Sequence, residues 1–335
     1  MSEIIKTRPG DTNFNLFEDF PKEIYPEDSP YYQQLSHINE TYLENCFLLL
    51  ENGNVKCRAS MYCNPYMYYQ NKKTVTIGHY ESFDDKNNSK KLISHIVSEA
   101  KKLKAEFLIG PMNGSTWDEY RFSLNHQYPT FFLEPYHQLY YNQHFLNADF
   151  EIIAKYYSSL ETDLIFNSPF VLERENELRK IGVNFRNINL EEFEKELEKI
   201  YEFNSVSFKS NFLFTPIKIE DFLKKYTETK KFINPQFVML AEDKEENLIG
   251  YFFCIHDFYN KNSKTLIAKT VARHPDKAWS GVGHVLGNII AARALKEGYQ
   301  AIIHPFMHEE GTSKKMSNNF SGKSYKNYVL YGRSI

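Results

Sequence analysis

Two glycines in the stretch VARHPDKAWSGVGHVLGNIIAARALKEG, residues 271–298, have the spacing of an anion-binding turn. A β-like run passes through a polar bend into a segment with helical periodicity. Backbone N–H groups at a helix start lack intrahelical partners and, with the helix dipole, attract a phosphate or pyrophosphate. Gly281 and Gly283 would let a ligand approach this backbone, because neither carries a Cβ. The stretch predicts a pyrophosphate site, with a plain strand-to-helix turn as the alternative reading.

The elements around this bend recur in the two halves of the chain in the order strand, hairpin, strand, helix, strand. In the first half, Asn52-Gly53-Asn54 predicts a hairpin between two strands, and the apolar spacing predicts a helix over residues 89–104. In the second half, residues 243–247 join a hairpin, and residues 282–297 have the pattern of a helix. The predicted fold class is α/β with mixed sheets, each mostly antiparallel and flanked by helices.

The second half resembles the acyl-CoA site of the GNAT superfamily of N-acyltransferases. In that family a strand is followed by Pro, a short polar run, Q/R-x-x-G-x-G/A and a helix. The matching positions here are Pro275, Asp276, Lys277, Gly281, Gly283 and Leu286. Ala278 occupies the Q/R place, so the side-chain part of pyrophosphate binding is missing while the backbone part remains. The resemblance covers nearly all of residues 181–335.

The first half is similar to the same family in layout only. At the equivalent of the glycine bend it reads FDDKNNSKKL, where Asp84 and Asp85 place negative charge that opposes an anion. The resemblance implies two tandem GNAT-like domains: residues 1–165 with a degenerate cofactor site, a linker over 166–180, and residues 181–335 with the acyl-CoA site. We therefore expect one acetyl-CoA or other acyl-CoA per chain.

The resemblance also implies which residues contact the acyl-CoA. Backbone N–H groups of the strand at Val271, Ala272 and Arg273 would polarise the thioester carbonyl. The bend and the helix start would hold the pyrophosphate, and a short helix over residues 311–320 would begin near the cofactor. The expected set is Val271, Ala272, Arg273, Ala278, Trp279, Ser280, Gly281, Val282, Gly283, His284 and Ser313.

Direct acyl transfer needs a base for the amine and a proton donor for the leaving thiolate. His304 lies on the strand beside the expected thioester, and Glu310 lies where an Asn is common in the family. Glu81, at the end of the strand TVTIGHYES, could reach a cleft between the domains. The tyrosine that many GNAT enzymes use as proton donor is missing, and Tyr328 or Tyr325 would substitute. These residues are the catalytic candidates.

The expected activity is N-acyl transfer, in particular N-acetyl transfer, to a small-molecule or peptide amine by direct attack near the domain interface. Two alternatives stay open. The missing Q/R and Tyr are compatible with an acyl-CoA-binding sensor or scaffold without turnover. The two-domain layout also resembles the Fem-type transferases, which use aminoacyl-tRNA, although the intact glycine bend favours CoA.

Composition narrows the partners and the location. The 335 residues are 42% apolar with a net charge of -3, so no overall charge attracts nucleic acid or an anionic membrane. No apolar run has the length of a membrane span, and the cysteines have no CxxC spacing. Pro305 separates His304 from His308 and argues against a shared metal site. We expect a cytoplasmic monomer or homodimer without a metal.

Overall fold

The computed structural model describes residues 2–33, 38–165, 168–311 and 322–335. Its strands and helices follow one another in the order β1 (Ser2–Thr7), α1 (Phe14–Asp19), β2 (Leu43–Glu51), β3 (Asn54–Tyr62), β4 (Tyr68–Tyr69), β5 (Lys72–Ser82), α2 (Lys86–Lys102), β6 (Phe107–Gly110), β7 (Phe122–Ser123), α3 (Tyr141–Asn147), β8 (Glu151–Glu161), α4 (Pro169–Lys180), β9 (Asn184–Asn187), α5 (Phe193–Ser207), α6 (Ile219–Thr227), β10 (Val238–Glu242), β11 (Leu248–His256), β12 (Thr265–Arg273), α7 (Val282–Lys296), β13 (Ala301–His308) and β14 (Lys323–Ser334).

The chain forms two compact units. The first contains the described parts of Met1–Tyr156, together with Leu213–Thr215 and Lys326–Ile335. The second contains those of Tyr157–Phe212 and Pro216–Tyr325. The expected linker over 166–180 is mostly helix α4, which falls within the second unit because Leu178 is buried in that unit's core.

The first unit is a mixed sheet in which β1, β2, β3, β5, β6 and β14 pair in that order. The predicted hairpin between β2 and β3 is confirmed, with Glu51 opposite Asn54 and positive φ at Asn52 and Gly53. The predicted helix is also confirmed as α2, which buries Leu92, Ile93 and Ile96 against the sheet. Among these six strands, β5 and β6 pair in parallel, and the other neighbouring strands pair antiparallel.

The second unit orders its strands β9, β10, β11, β12 and β13. Adjacent strands are antiparallel except β12 and β13. Ile249, Phe252 and Cys254 of β11 pack in the core under α7. Phe252 and Cys254 follow the alternation of a strand, whereas Ile249 lies at the bulge where the pairing of β11 with β10 shifts. Tyr251 and Phe253 of the same strand face α5 and α6. The unit is a sheet with helices on both faces, which confirms the predicted fold class.

The last strand differs from the prediction that placed it in the second domain. β14 pairs antiparallel with β6 of the first unit, with Tyr331 opposite Gly110 and Arg333 opposite Leu108. Val329 and Tyr331 are fully or almost fully buried in the first unit's core, which explains why the strand joins that sheet. The division between the units falls within β8, between Tyr156 and Tyr157, whereas the predicted boundary was at residue 165.

Candidate active site

Strands β12 and β13 diverge after three paired positions. The parallel ladder joins Thr265 to Ala301, Leu266 to Ile302 and Ile267 to Ile303, and it ends there although both strands continue. The rest of β12, up to Arg273, keeps its partner β11 on the other side. The backbone edge of β12 that faces β13 is therefore released from strand pairing and can pair with an extended ligand.

Val271, Ala272 and Arg273 lie on this diverging part of β12. They pair with Phe252, Tyr251 and Gly250 of β11, respectively. The three residues that we expected to polarise a thioester carbonyl therefore share one strand segment, at the point where the ladder with β13 has ended. Their role in catalysis stays a prediction.

The glycine bend follows directly and ends in α7, whose predicted start at Val282 is confirmed. Residues Lys277–Trp279 form a 3-10 turn, with Asp276 Oδ1 accepting a hydrogen bond from Ala278 N at 2.9 Å. Gly281 is the N-cap of α7 and has a φ of 89°, a left-handed conformation that favours glycine. Its carbonyl accepts from His284 N and Val285 N. The preceding N–H groups of the first turn have no carbonyl within the helix to bond, as at any helix start.

A glycine in β11 brings α7 close to the sheet. A Cβ on Gly250 would lie 2.7 Å from Val282 Cγ1 and 3.1 Å from the carbonyl oxygen of Ala272. Sequence reasoning missed Gly250, although a glycine inside a strand pattern often marks a close approach of another backbone. Gly250 is therefore part of what sets the position of the helix start.

The expected catalytic residues of the second unit lie on or after β13. His304 follows Ile303, the last residue that pairs with β12, and burial lowers the pKa of its imidazole to about 4. The imidazole is neutral at pH 7 in consequence. Glu310 is exposed in the turn after β13, where its N–H donates to His308 Nδ1 at 3.1 Å. Burial also lowers the pKa of His284, on the first turn of α7. Ser313 and the predicted helix over 311–320 lie, apart from Gly311, outside the described residues.

Glu81 and Tyr328 belong to the first unit, unlike the other candidates. Glu81 Oε2 accepts hydrogen bonds from the hydroxyls of Tyr25 at 2.6 Å and Tyr141 at 2.7 Å. Burial raises the pKa of this carboxyl, against the opposing pull of Arg58, whose Nη2 lies 4.0 Å from Oε1. The carboxylate is 7% exposed, and the bonds that it makes hold several segments of the first unit together.

Tyr328 lies in a second buried cluster of the first unit. Its hydroxyl donates to Glu134 Oε1 at 2.7 Å, and Lys326 Nζ lies 2.5 Å from Glu134 Oε2. Tyr328 itself is 2% exposed. The hydroxyl therefore satisfies a buried carboxylate, a role that sequence reasoning did not foresee because Glu134 is so distant in the chain.

The first unit fills its own equivalent of the glycine bend. Asp85 is the N-cap of α2, where its Oδ1 accepts from Asn87 N at 2.8 Å and Asn88 N at 3.0 Å. The parallel ladder of β5 and β6 ends at Thr76 opposite Ile109. Beyond it, Asn113 Oδ1 accepts from His79 N at 2.9 Å. In the first unit, a carboxylate and an amide of the chain itself therefore accept hydrogen bonds from backbone N–H groups at the start of α2 and on β5.

A cavity opens on the face of the second unit's sheet opposite α7. It is a half-open hollow between α5, α6 and the strands, with an enclosed volume of about 40 Å³. Leu197, Ile200 and Phe222 are among its apolar walls, and Thr270 brings it to the diverging part of β12. The hydroxyl of Tyr251 donates to Asn204 Oδ1 at 2.8 Å on this wall. No described residue that lines the cavity carries a charge.

Within the described ranges, no group of three or more His, Cys, Asp or Glu side chains is arranged to hold a metal ion. No helix in the same ranges has the length and apolar character needed to cross a bilayer.

Comparison with known proteins places the chain by structure. No protein-family model matches the sequence, and no curated protein matches it. A tandem GNAT protein from the clavulanic acid biosynthesis pathway matches with a TM-score of 0.53 and 10% identity, over 100% of this chain and 98% of the other. A probable N-acyltransferase from Enterococcus faecalis gives a TM-score of 0.58 and 9% identity, over 100% and 73%.

A third solved structure is the GCN5-related glucosamine N-acetyltransferase region of a fungal multi-domain GH3 β-N-acetylglucosaminidase. It matches with a TM-score of 0.57 and 12% identity over 99% of this chain, which spans 38% of that longer chain. Identities this low carry information about the fold alone, and the three alignments agree on it over the whole length of the chain. The chain has the fold of these tandem GNAT structures.

Proposed function

We propose that the chain is a CoA-dependent N-acyltransferase whose second unit binds one acyl-CoA. The observation that carries this proposal is the divergence of β12 from β13 directly before a bend that ends in Gly281 and α7. The released strand edge suits the amide groups of a pantetheine arm, and the helix start suits a pyrophosphate. One continuous segment, residues 268–283, thus offers both kinds of contact.

In the proposed reaction the amine nitrogen attacks the thioester carbon, the new C–N bond forms and the C–S bond breaks. The electron pair of the C–S bond leaves with the CoA sulfur, which takes up one proton, and the amine gives up one proton. Backbone N–H groups of Val271–Arg273 would stabilise the negative charge that builds on the carbonyl oxygen. His304 is the candidate to accept the amine proton, because it directly follows the last residue of β13 that pairs with β12.

The cavity beside Thr270 is the proposed site of the acceptor. Its walls offer aromatic and aliphatic surface and a few hydroxyl or amide groups, without a charged partner among the lining residues. Burying a carboxylate or a second ammonium group there would carry a large desolvation cost. We expect an acceptor whose body is uncharged and apolar, with a single amine that reaches β12.

The first experiment titrates acetyl-CoA into the full chain by calorimetry. The second incubates acetyl-CoA with a panel of amines and follows free thiol and the acetylated amine by mass spectrometry. We expect one bound acetyl-CoA and faster thiol release with arylalkyl or alkyl amines than with amino acids or polyamines. Binding without thiol release across the panel would favour a sensor, and binding of aminoacyl-tRNA in place of acetyl-CoA would favour the Fem-type alternative.

A further inference from the structure

Arg174 reaches the glycine bend from α4, the helix that precedes β9. Val171 and Leu178 of α4 pack in the core with α7, and Leu178 is fully buried. Arg174 lies between them at three- and four-residue spacing, so all three share one face of the helix. Its side chain is 22% exposed. The packing of α4 therefore aims this guanidinium at the N-terminal end of α7.

The guanidinium bonds two carbonyl groups of the bend. Arg174 Nε donates to the carbonyl oxygen of Ser280 at 2.9 Å, and Nη2 donates to that of Ala278 at 2.6 Å. Nη1 donates to Glu177 Oε2 at 2.8 Å, one turn along α4. A Cβ on Gly281 would lie 2.9 Å from Arg174 Cγ, so a side chain at 281 would require Arg174 to shift.

Arg273 likewise donates hydrogen bonds to carbonyl groups in the preceding part of the bend. Arg273 Nη1 donates to the carbonyl oxygens of His274 at 2.5 Å and Asp276 at 2.7 Å. The carbonyls of alternate residues from 274 to 280 are thus all bonded by guanidinium groups. The negative ends of these peptide dipoles are covered by cations.

The direction of the carbonyls fixes the direction of the N–H groups. In a trans peptide the C=O of one residue and the N–H of the next point in opposite directions within one plane. Because the carbonyl of Ser280 points at Arg174, the N–H of Gly281 points away from it. The N–H groups of Val282 and Gly283 follow in the first turn of α7, where an anion can approach.

We propose that Arg174 is a positioning residue that orients the bend's N–H groups for a diphosphate. The inference rests on the proposed acyl-CoA site and assigns to α4 a part in it. Arg174 acts through the peptide groups of residues 278–281, which it holds, and it adds positive charge on their carbonyl side. Neither Ala278 nor Gly281 has a side chain that could do this.

The test compares Arg174→Met, which keeps the aliphatic stem, with Arg174→Lys and with a matched control on the same helix. Arg179→Met is the control, because Arg179 bonds Glu175 and stands over the ring of Phe185, away from the bend. Acetyl-CoA binding is measured by calorimetry. Binding of S-acetylpantetheine, which has no phosphate, is measured by ligand-observed NMR. Amide hydrogen exchange of residues 276–283 is followed in each variant without ligand.

We expect Arg174→Met to weaken acetyl-CoA binding about tenfold, to leave S-acetylpantetheine binding within about twofold, and to speed amide exchange in the bend. Arg174→Lys should fall between Arg174→Met and the parent, because an ammonium group cannot span both carbonyls as the planar fork does. Arg179→Met should match the parent. If Arg174→Met does not fold, Arg174→Lys and its exchange rates serve the same comparison.

Three results would overturn the inference. The first is acetyl-CoA affinity in the Arg174 variants equal to that of the parent. The second is an equal loss for both ligands, which would mean general loosening of the unit. The third is a parent that binds no acetyl-CoA, and this result alone also removes the proposed function, so the two failures are told apart by the parent titration.

Discussion

Gly250 of β11 and Val282 at the start of α7 approach so closely that a Cβ on Gly250 would stand 2.7 Å from Val282 Cγ1. Val282 is fully buried, and its helix begins with the glycine N-cap at 281. The height of the helix start above the sheet is therefore set by the missing side chain at 250. Any ligand held by the first turn of α7 depends on this distance.

Gly250→Ala should push Val282 outward and shift the first turn of α7. We expect a loss of about 1–3 kcal/mol in the free energy of unfolding, as for other overpacked cores, and weaker acyl-CoA binding. Urea unfolding and calorimetry measure the two effects. The control is the double variant Gly250→Ala with Val282→Ala, which removes the clashing methyl and should restore part of the lost stability. Strict additivity of the two single changes would contradict the proposed clash.

Gly281→Val should reduce acyl-CoA affinity for two structural reasons. The φ of 89° at this position is unfavourable for a β-branched residue, and the new side chain would displace Arg174. We expect at least an about tenfold loss, which is about 1.4 kcal/mol, with the fold retained. Calorimetry measures the affinity, and circular dichroism checks the helix content. Normal affinity in a folded variant would show that the bend does not bind the ligand.

The matched change in the first unit is Asp84→Ala with Asp85→Ala. Asp85 caps α2, so its loss should lower the free energy of unfolding by about 1 kcal/mol, as urea unfolding would show. Acyl-CoA affinity should stay within about twofold of the parent, less than about 0.5 kcal/mol, because the ligand is proposed to bind elsewhere. A clear loss of affinity in this variant would mean that the acyl-CoA binds in the first unit and that the proposed site is wrong.

A stoichiometry of one acyl-CoA per chain follows from the contrast between the two units. The carboxylate of Asp85 accepts from N–H groups at the start of α2, and the amide oxygen of Asn113 accepts from the N–H of His79 in β5. Native mass spectrometry with acetyl-CoA should show one bound ligand per chain, and the Asp84 and Asp85 double variant should show the same. A second equivalent that binds as tightly as the first would contradict this reading of the first unit.

Local sequence patterns predicted the individual strands and helices, whereas the long-range contacts between them became visible only in the structure. The Asn52-Gly53 turn and the start of α7 at Val282 are encoded by neighbouring residues and came out as expected. The pairing of β14 with β6 joins residues more than 200 positions apart, and nothing in the periodicity of either strand selects the other. The contacts of Arg174 are of the same kind, because nothing in the charged run VLERENEL indicates which charge lies against a bend a hundred residues later.

In the candidate site, too, local features could be predicted from the sequence and long-range contacts could not. The glycine bend could be found because helix starts have a local sequence signature. Gly250 could have been noticed, since glycine is unusual inside the apolar run LIGYFF. The partners of Tyr328 and Glu81 could not, because buried hydrogen bonds form between residues whose proximity depends on the whole fold.

The acid dependence of stability gives a test of the environment of His304. Burial lowers its pKa to about 4 in the folded chain, whereas an unfolded histidine titrates near about 6.5. Between these pH values the unfolded state binds the proton and the folded state does not, so stability falls as the pH falls through this window. Above about pH 6.5 neither state is protonated there, and the contribution of His304 is fully present.

His304→Gln removes this titration. Urea unfolding at pH 7, 6 and 5 should give a steeper loss of stability for the parent than for the variant, by up to about 1.4 kcal/mol per pH unit. The same burial predicts that acyl-transfer rates show no inflection from His304 between about pH 5 and pH 8, because the imidazole stays neutral throughout. Equal slopes for parent and variant, or a rate inflection near about pH 6.5 that disappears in His304→Gln, would mean that the imidazole is solvated and titrates like a free histidine.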